Sequence, residues 1–189
     1  MSNRTYPRCQ RPLAAFAFAL CGVLARLPVA AQAPVSFDLP APKLVGETKD
    51  WLNTNGVKLE FEKGKVYVVE FWTFGCINCQ RNLPAYARWQ KQFGRRGVTI
   101  IGVHTPETDE EKQPENVQKY VKQSGITYPV LVDGAAANWR RWEQGVWPTV
   151  YLIDRRGHAR YRWTGELNWN RAGGEQIMAR KLELLLAEK

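Results

Sequence analysis

Residues 65–72 form an unbroken β-prone run that leads directly into Thr73-Phe74-Gly75-Cys76-Ile77-Asn78-Cys79, and no other stretch constrains the fold so tightly. A run without polar alternation reads as a strand buried on both faces, which requires a sheet covered on each side. The pattern then changes period. Leu83, Tyr86, Trp89 and Phe93 recur at three- and four-residue steps, predicting a helix over residues 76–93 that stops at Gly94 and kinks at Pro84. Cys76 therefore stands at a helix N-terminus, where unpaired backbone N–H groups and the helix dipole favour a thiolate, and it is the candidate nucleophile. Cys79, one turn further in, is the resolving thiol that would attack a mixed disulfide formed at Cys76. Between Val69 and Phe71 the run carries Glu70. A carboxylate is costly to bury ionised, so its pKa is expected to rise, and a raised carboxylic acid near the dithiol can shuttle a proton for Cys79. The competing reading is a strand-end Glu turned to water. Thr73, Phe74 and Gly75 either shape the approach to Cys76 or serve as plain loop.

The chain has four cysteines, and the other two, Cys9 and Cys21, fall in an N-terminal segment with the marks of a signal peptide. Arg4, Arg8 and Arg11 form a basic start with no acidic residue, and an apolar run over residues 13–25 is cut off by Arg26. That run is short of the ~20 residues that span a bilayer. Small residues place the cleavage after Ala31 or after Ala33, so residues 1–33 are expected to leave and residues 34–189 to remain as one domain. The competing reading is an uncleaved N-terminal anchor. A lipid anchor on Cys21 is disfavoured by bulky Leu20 before it, and there is no adjacent Arg pair for twin-arginine export. The formal charge is +9, and loss of Arg4, Arg8, Arg11 and Arg26 leaves about +5, scattered rather than blocked. Nucleic acid is therefore not an expected partner.

Further along, Val57 to Phe61 alternates after an Asn55-Gly56 turn and suggests one arm of a short hairpin, while the Pro-rich residues 34–42 read as an irregular lead-in. Residues 98–103 predict a second buried strand. Residues 114–124 predict a helix closed by Gly125, with Val117, Tyr120 and Val121 inward. A short strand over 128–132 and a helical piece over 135–144 come next. Strands over 149–153 and 159–163 flank the Asp154-Arg155-Arg156-Gly157 turn, and a helix over 175–187 closes the chain. This order is α/β with a mixed sheet.

Glu70 to Cys79, followed by Trp147-Pro148-Thr149 at a strand start, resembles the thioredoxin superfamily, and the Cys-Ile-Asn-Cys core resembles its TlpA/redoxin-like branch, in particular the extracytoplasmic domain of DipZ-type proteins. Trp51-Leu52-Asn53, Gly102-Val103-His104-Thr105-Pro106-Glu107, Gly125-Ile126-Thr127-Tyr128-Pro129-Val130 and Tyr151-Leu152-Ile153-Asp154 extend the match. The resemblance implies a thioredoxin-like fold: a mixed central sheet flanked by helices, with an N-terminal short hairpin and a central helix/strand insertion. It implies that Pro148 is the cis-proline lying against the dithiol, that Phe74, Gly75, Trp147 and Thr149 line a substrate groove, and that Glu70 is the acid beneath the resolving cysteine. It also implies extracytoplasmic disulfide exchange with protein substrates, with cytochrome c apoproteins or misbridged proteins as substrates of a reductant. DipZ-type proteins join this domain to a membrane-embedded part, so a separate membrane electron donor or acceptor is expected here, with the domain itself a monomer.

Other readings compete. A structural bridge between Cys76 and Cys79 would close so small a loop that it is worth only about 2 kcal/mol. A metal site has only His104 and His158 to draw on beyond the two thiols, both read as surface or hydrogen-bonded groups, and c-type haem attachment would need His where Gln80 stands. No cofactor or metal is expected. A thiol peroxidase shares the fold, and Thr73 lies three residues before Cys76 as in peroxiredoxins, but Val69 replaces the proline of that motif. A non-catalytic module that holds an extended chain on aromatic residues is the remaining alternative. Trp139, Trp142 and Trp163 read as packing residues.

Overall fold

The computed structural model describes residues 33–188. The expected leader lies outside the described residues, Ala33 apart. Seven strands, β1 (Val35–Pro40), β2 (Trp51–Leu52), β3 (Val66–Trp72), β4 (Val98–His104), β5 (Val130–Val132), β6 (Thr149–Ile153) and β7 (His158–Thr164), form one sheet in the order β1-β7-β6-β3-β4-β5-β2. The pairs β3–β4 and β4–β5 are parallel, and every other pair is antiparallel. The helices are α1 (Ile77–Phe93), α2 (Pro114–Gln123), α3 (Ala137–Arg141) and α4 (Gly174–Ala187).

All seven residues of β3 are buried. Their alternation divides the core. Val66, Val68 and Trp72 pack with Tyr86, Trp89 and Phe93 of α1, Val117 and Val121 of α2, and Met178, Leu182 and Leu185 of α4. Tyr67, Val69 and Phe71 pack on the other face with Trp51, Trp142 and Tyr151. Glu70 shares the α1 face by the same alternation. α1 continues through Pro84 as one helix, and the left-handed residue after it is Gly97 (φ 92°) rather than Gly94.

Two expectations are corrected. Residues 57–61 are not a strand, so the N-terminal hairpin is absent. Asn55 and Gly56 do adopt left-handed φ, as such a turn demands, but β2 pairs with β5 and residues 57–61 join no ladder. The alternation arises because Leu59 and Phe61 dock on the second core, with Phe61 5.1 Å from the Tyr67 ring. Conversely, the lead-in contains β1, which pairs antiparallel with β7 at the sheet edge. Pro40 ends that strand, a position where its missing N–H disturbs no interior ladder. Asp38 fastens it, receiving Arg156 at 2.9 Å and meeting His158 Nδ1 at 2.6 Å.

Candidate active site

The Cys-x-x-Cys pair lies where β3 gives way to α1. Cys76 is the N-cap of α1, in extended backbone conformation, and its sulfur accepts from the Cys79 N–H at 3.3 Å. One of the orphan donors of the first helical turn is thus directed at the sulfur. Cys76 is half-buried, whereas Cys79 is fully buried among the α1-side core. Burial pushes the Cys79 thiol far above its ordinary range, with Cys76 and the Glu70 charge acting in the same direction and the Thr73 backbone opposing them. The two sulfurs are therefore unequal in access.

Glu70 is wholly buried, and Gly102 on the neighbouring strand makes room for it, since a Cβ there would come within 3.3 Å of Glu70 Oε1 and 2.9 Å of Trp72 Nε1. Tyr128 Oη donates to Oε1 at 2.5 Å, and Oε2 has no hydrogen-bond partner. Burial raises the Glu70 pKa to about 8, partly offset by the Tyr128 and Tyr86 hydroxyls. The strand-end alternative is thereby removed: Glu70 shares the face of the sheet that carries Cys79.

The loop before Cys76 is gripped rather than free. Phe74 is stacked between His104 and Tyr120, with ring centroids 5.4 Å away on each side. Its N–H donates to His104 Nε2 at 3.4 Å, and the Thr73 hydroxyl meets the same nitrogen at 3.4 Å. His104 is fully buried, and burial drives its pKa down to about 4, so it is a neutral acceptor at physiological pH. The Gly75 N–H donates to Glu111 Oε1 at 2.7 Å.

The Phe71–Thr149 register of β3 with β6 carries Pro148 and Trp147 past the end of β3, alongside the dithiol loop. The Trp147–Pro148 peptide is cis. Pro148 C=O accepts from Gly165 N at 2.7 Å, whereas among the described residues no backbone hydrogen bond takes the Trp147 N–H or C=O. The Trp147 ring stacks on Trp139 at 4.0 Å. Thr149 is buried and its hydroxyl donates to Val146 C=O at 2.8 Å, so it braces the turn instead of lining a surface. Val146 and Ile77 present exposed apolar side chains on the two segments that meet here.

Sequence reasoning overlooked Glu111, Tyr128 and Tyr86. Glu111 stands in Glu107-Thr108-Asp109-Glu110-Glu111, where every acid looks equally solvated, and only the fold selects one of them for burial. Among the described residues no three His, Cys, Asp or Glu side chains stand together as a metal site would require.

Residues 30–162 match the family model described as the AhpC/TSA family. Protein DipZ of Mycobacterium bovis is 43% identical over 133 residues, 69% of this chain but only 19% of DipZ. The thiol-disulfide oxidoreductase YkuV of Bacillus subtilis is 24% identical over 149 residues, covering 79% of this chain and 95% of YkuV. A thioredoxin-like protein solved in its oxidised form superposes with a TM-score of 0.67 at 23% identity, over 80% of this chain and 97% of the other. With that fold and that match over most of its length, the chain belongs to the AhpC/TSA family and has the thioredoxin-like fold.

Proposed function

We propose that this protein is an extracytoplasmic thiol–disulfide oxidoreductase that exchanges disulfides with protein substrates and acts as a reductant. The observation that carries the reading is the inequality of the two sulfurs: Cys76 reachable at a helix N-terminus, Cys79 buried one turn below it. In the first step the Cys76 thiolate attacks a substrate disulfide, forming a Cys76–substrate bond and releasing one substrate thiolate, which takes up a proton. Cys79 then gives its proton to Glu70 in the ionised fraction that a pKa of about 8 leaves near neutral pH, and its sulfur attacks Cys76. The second substrate sulfur leaves as a thiolate and takes that proton back from Glu70, Cys76–Cys79 is oxidised, and two electrons have passed to the substrate. The unpaired Trp147 backbone beside Pro148 can pair with an extended substrate strand, with Val146, Ile77, Phe74 and Gly75 around it. A separate membrane partner would return the dithiol to its reduced state. Export by a cleaved leader over residues 1–33 sets the compartment; no helix among the described residues is long and apolar enough to cross a membrane.

Cys79→Ser is expected to accumulate mixed disulfides with substrate proteins, whereas Cys76→Ser accumulates few and loses insulin-type reductase activity. Equal trapping by both, or turnover without Cys76, refutes the assignment and favours a binding module. The AhpC/TSA match and Thr73 favour thiol peroxidase as the second reading. Against it, the Thr73 hydroxyl is engaged by His104 and the Glu111 carboxylate. Rapid hydroperoxide consumption with a Cys76 sulfenate as intermediate would reverse the order of the two readings.

A further inference from the structure

The acid least expected from the sequence stands against the residue that precedes the nucleophile. Glu111 lies in a short turn between β4 and α2 and is only 2% exposed. Its Oε1 accepts from Gly75 N–H at 2.7 Å, and its Oε2 accepts from Glu107 N–H at 2.7 Å and Thr108 N–H at 2.8 Å. Burial acts to raise its pKa, but the Thr73 hydroxyl and these three N–H groups outweigh burial, and the carboxyl is held below its ordinary range. It is a carboxylate at neutral pH. Among the described residues no Lys or Arg pairs with it, and neighbouring Lys112 is taken by Asp109 at 2.6 Å. The negative charge is met by the Thr73 hydroxyl and peptide N–H groups, with no cation opposite it among the described residues. Gly75 is fitted to it: a Cβ at that position would come within 2.6 Å of Oε1.

With His104 holding the Phe74 N–H, both amides ahead of Cys76 are claimed by side chains from the end of β4 and the connection that follows it. Neither can turn toward the sulfur. The Cys76 sulfur accepts from the first turn of α1, while a fixed anion holds the N–H of the residue before it. The other titratable groups around the dithiol are Glu70, Tyr86 and Cys79 from below, with neutral His104 and Tyr120 beside Phe74.

We propose that Glu111 is a positioning residue for Cys76: its buried carboxylate fixes the Phe74–Gly75 backbone, and its charge disfavours the Cys76 thiolate, setting the couple toward the reducing side. The logic is thermodynamic. A strong oxidant of this superfamily is one whose reduced, thiolate form is stabilised. An anion that withholds this stabilisation shifts the equilibrium toward the disulfide, so the dithiol gives up its two electrons and two protons more readily. This inference rests on the exchange reading above and supplies a structural reason for its direction.

The test is the equilibrium of the full chain with a glutathione series, in wild type and in Glu111→Gln. Removing the charge is expected to move the constant at least tenfold toward the dithiol, about 30 mV more oxidising, and to speed iodoacetamide labelling of Cys76 at pH 7. Glu110→Gln, an exposed acid on the same turn, is the control and should leave both unchanged. An unchanged constant in Glu111→Gln, or an equal change in Glu110→Gln, overturns the proposal. Amide exchange in the wild-type protein tests the positioning without any variant. Gly75 is exposed, so its N–H should exchange quickly unless Glu111 holds it. Protection supports the grip, and exchange at the rate of an open loop refutes it. If wild type equilibrates with glutathione but reduces no protein disulfide, the proposed function falls while the effect of Glu111 on the dithiol is still measured.

Discussion

Glu70→Gln separates a buried, protonated acid from an ordinary one through the pH dependence of stability. The folded pKa is raised from 4.5 to about 8, chiefly by burial. A raised folded value means the folded chain holds the proton more tightly than the unfolded chain. The stabilisation is therefore complete below pH 4.5 and is lost as pH climbs to about 8, at about 1.4 kcal/mol per pH unit and about 5 kcal/mol in all. Other groups act elsewhere on the scale. His104, lowered from 6.5 to about 4, contributes stability that is present above pH 6.5 and lost below it. Glu111, Asp154 and Glu175 are held below their ordinary values, so their contributions are lost only in acid. The range from pH 6.5 to 8 thus isolates Glu70, over which wild type should lose about 2 kcal/mol. Gln keeps an oxygen for the Tyr128 hydroxyl and places an amide where Oε2 has no partner, a pH-independent cost of about 1–3 kcal/mol. Urea melts of the reduced proteins at pH 6.5 and 8 read the difference. With a slope of about 1–3 kcal/mol per molar for a protein this size, the wild-type midpoint should fall by about 1 M more than that of the variant. Single-turnover resolution of the Cys76 mixed disulfide should slow about 100-fold in the same variant. Parallel stability curves across this range, with unchanged resolution, would show that Glu70 holds no proton near neutrality and would remove it from the mechanism.

Tyr128→Phe deletes the hydroxyl that favours the ionised form of Glu70, so the loss of stability should move to higher pH, visible in the same melts; an unmoved profile would show that the bond at 2.5 Å contributes nothing. For export, the intact mass of protein recovered from the periplasm should begin near Gln32 or Pro34 and carry two cysteines, while a full-length cytoplasmic species would reverse the compartment.

The dithiol junction was legible because its signals are local: an apolar run, a change of period and a Cys spacing of one turn together fix β3, the start of α1 and the order of the sulfurs. Glu70 was legible for the same reason, since no carboxylate within a doubly covered strand escapes burial. What surrounds it was not. Tyr128 follows Glu70 by 58 residues and Glu111 follows Gly75 by 36, contacts that exist only once the β4–β5 crossover has been wound. Residues 57–61 and β1 failed in opposite directions. Leu59 and Phe61 alternate because a coil docks on the core, whereas Val35, Phe37 and Leu39 alternate within a strand whose flanking prolines resemble a linker. In both cases the deciding fact lies outside the segment: β1 finds the free edge of β7, whereas Leu59 and Phe61 find the second core.

Two carboxylates, each all but removed from water, thus take opposite states within one site. Glu70 is met by tyrosine hydroxyls alone, Tyr128 and more weakly Tyr86, so burial dominates and the proton stays. Glu111 has the Thr73 hydroxyl and three backbone donors, and together they outweigh burial, so the charge stays. The difference is the number of N–H and O–H groups that converge on each carboxyl, not the depth at which it lies. Each state suits the sulfur nearest to it in the fold. A proton-exchanging acid belongs on the face of Cys79, whose thiol must ionise before it can resolve the mixed disulfide. A permanent anion belongs beside Cys76, where it can hold the loop and restrain the thiolate without exchanging protons. Environments that drive two similar groups apart are how one fold assigns distinct roles to identical chemistry, and here the division follows the two sulfurs of a single Cys-x-x-Cys.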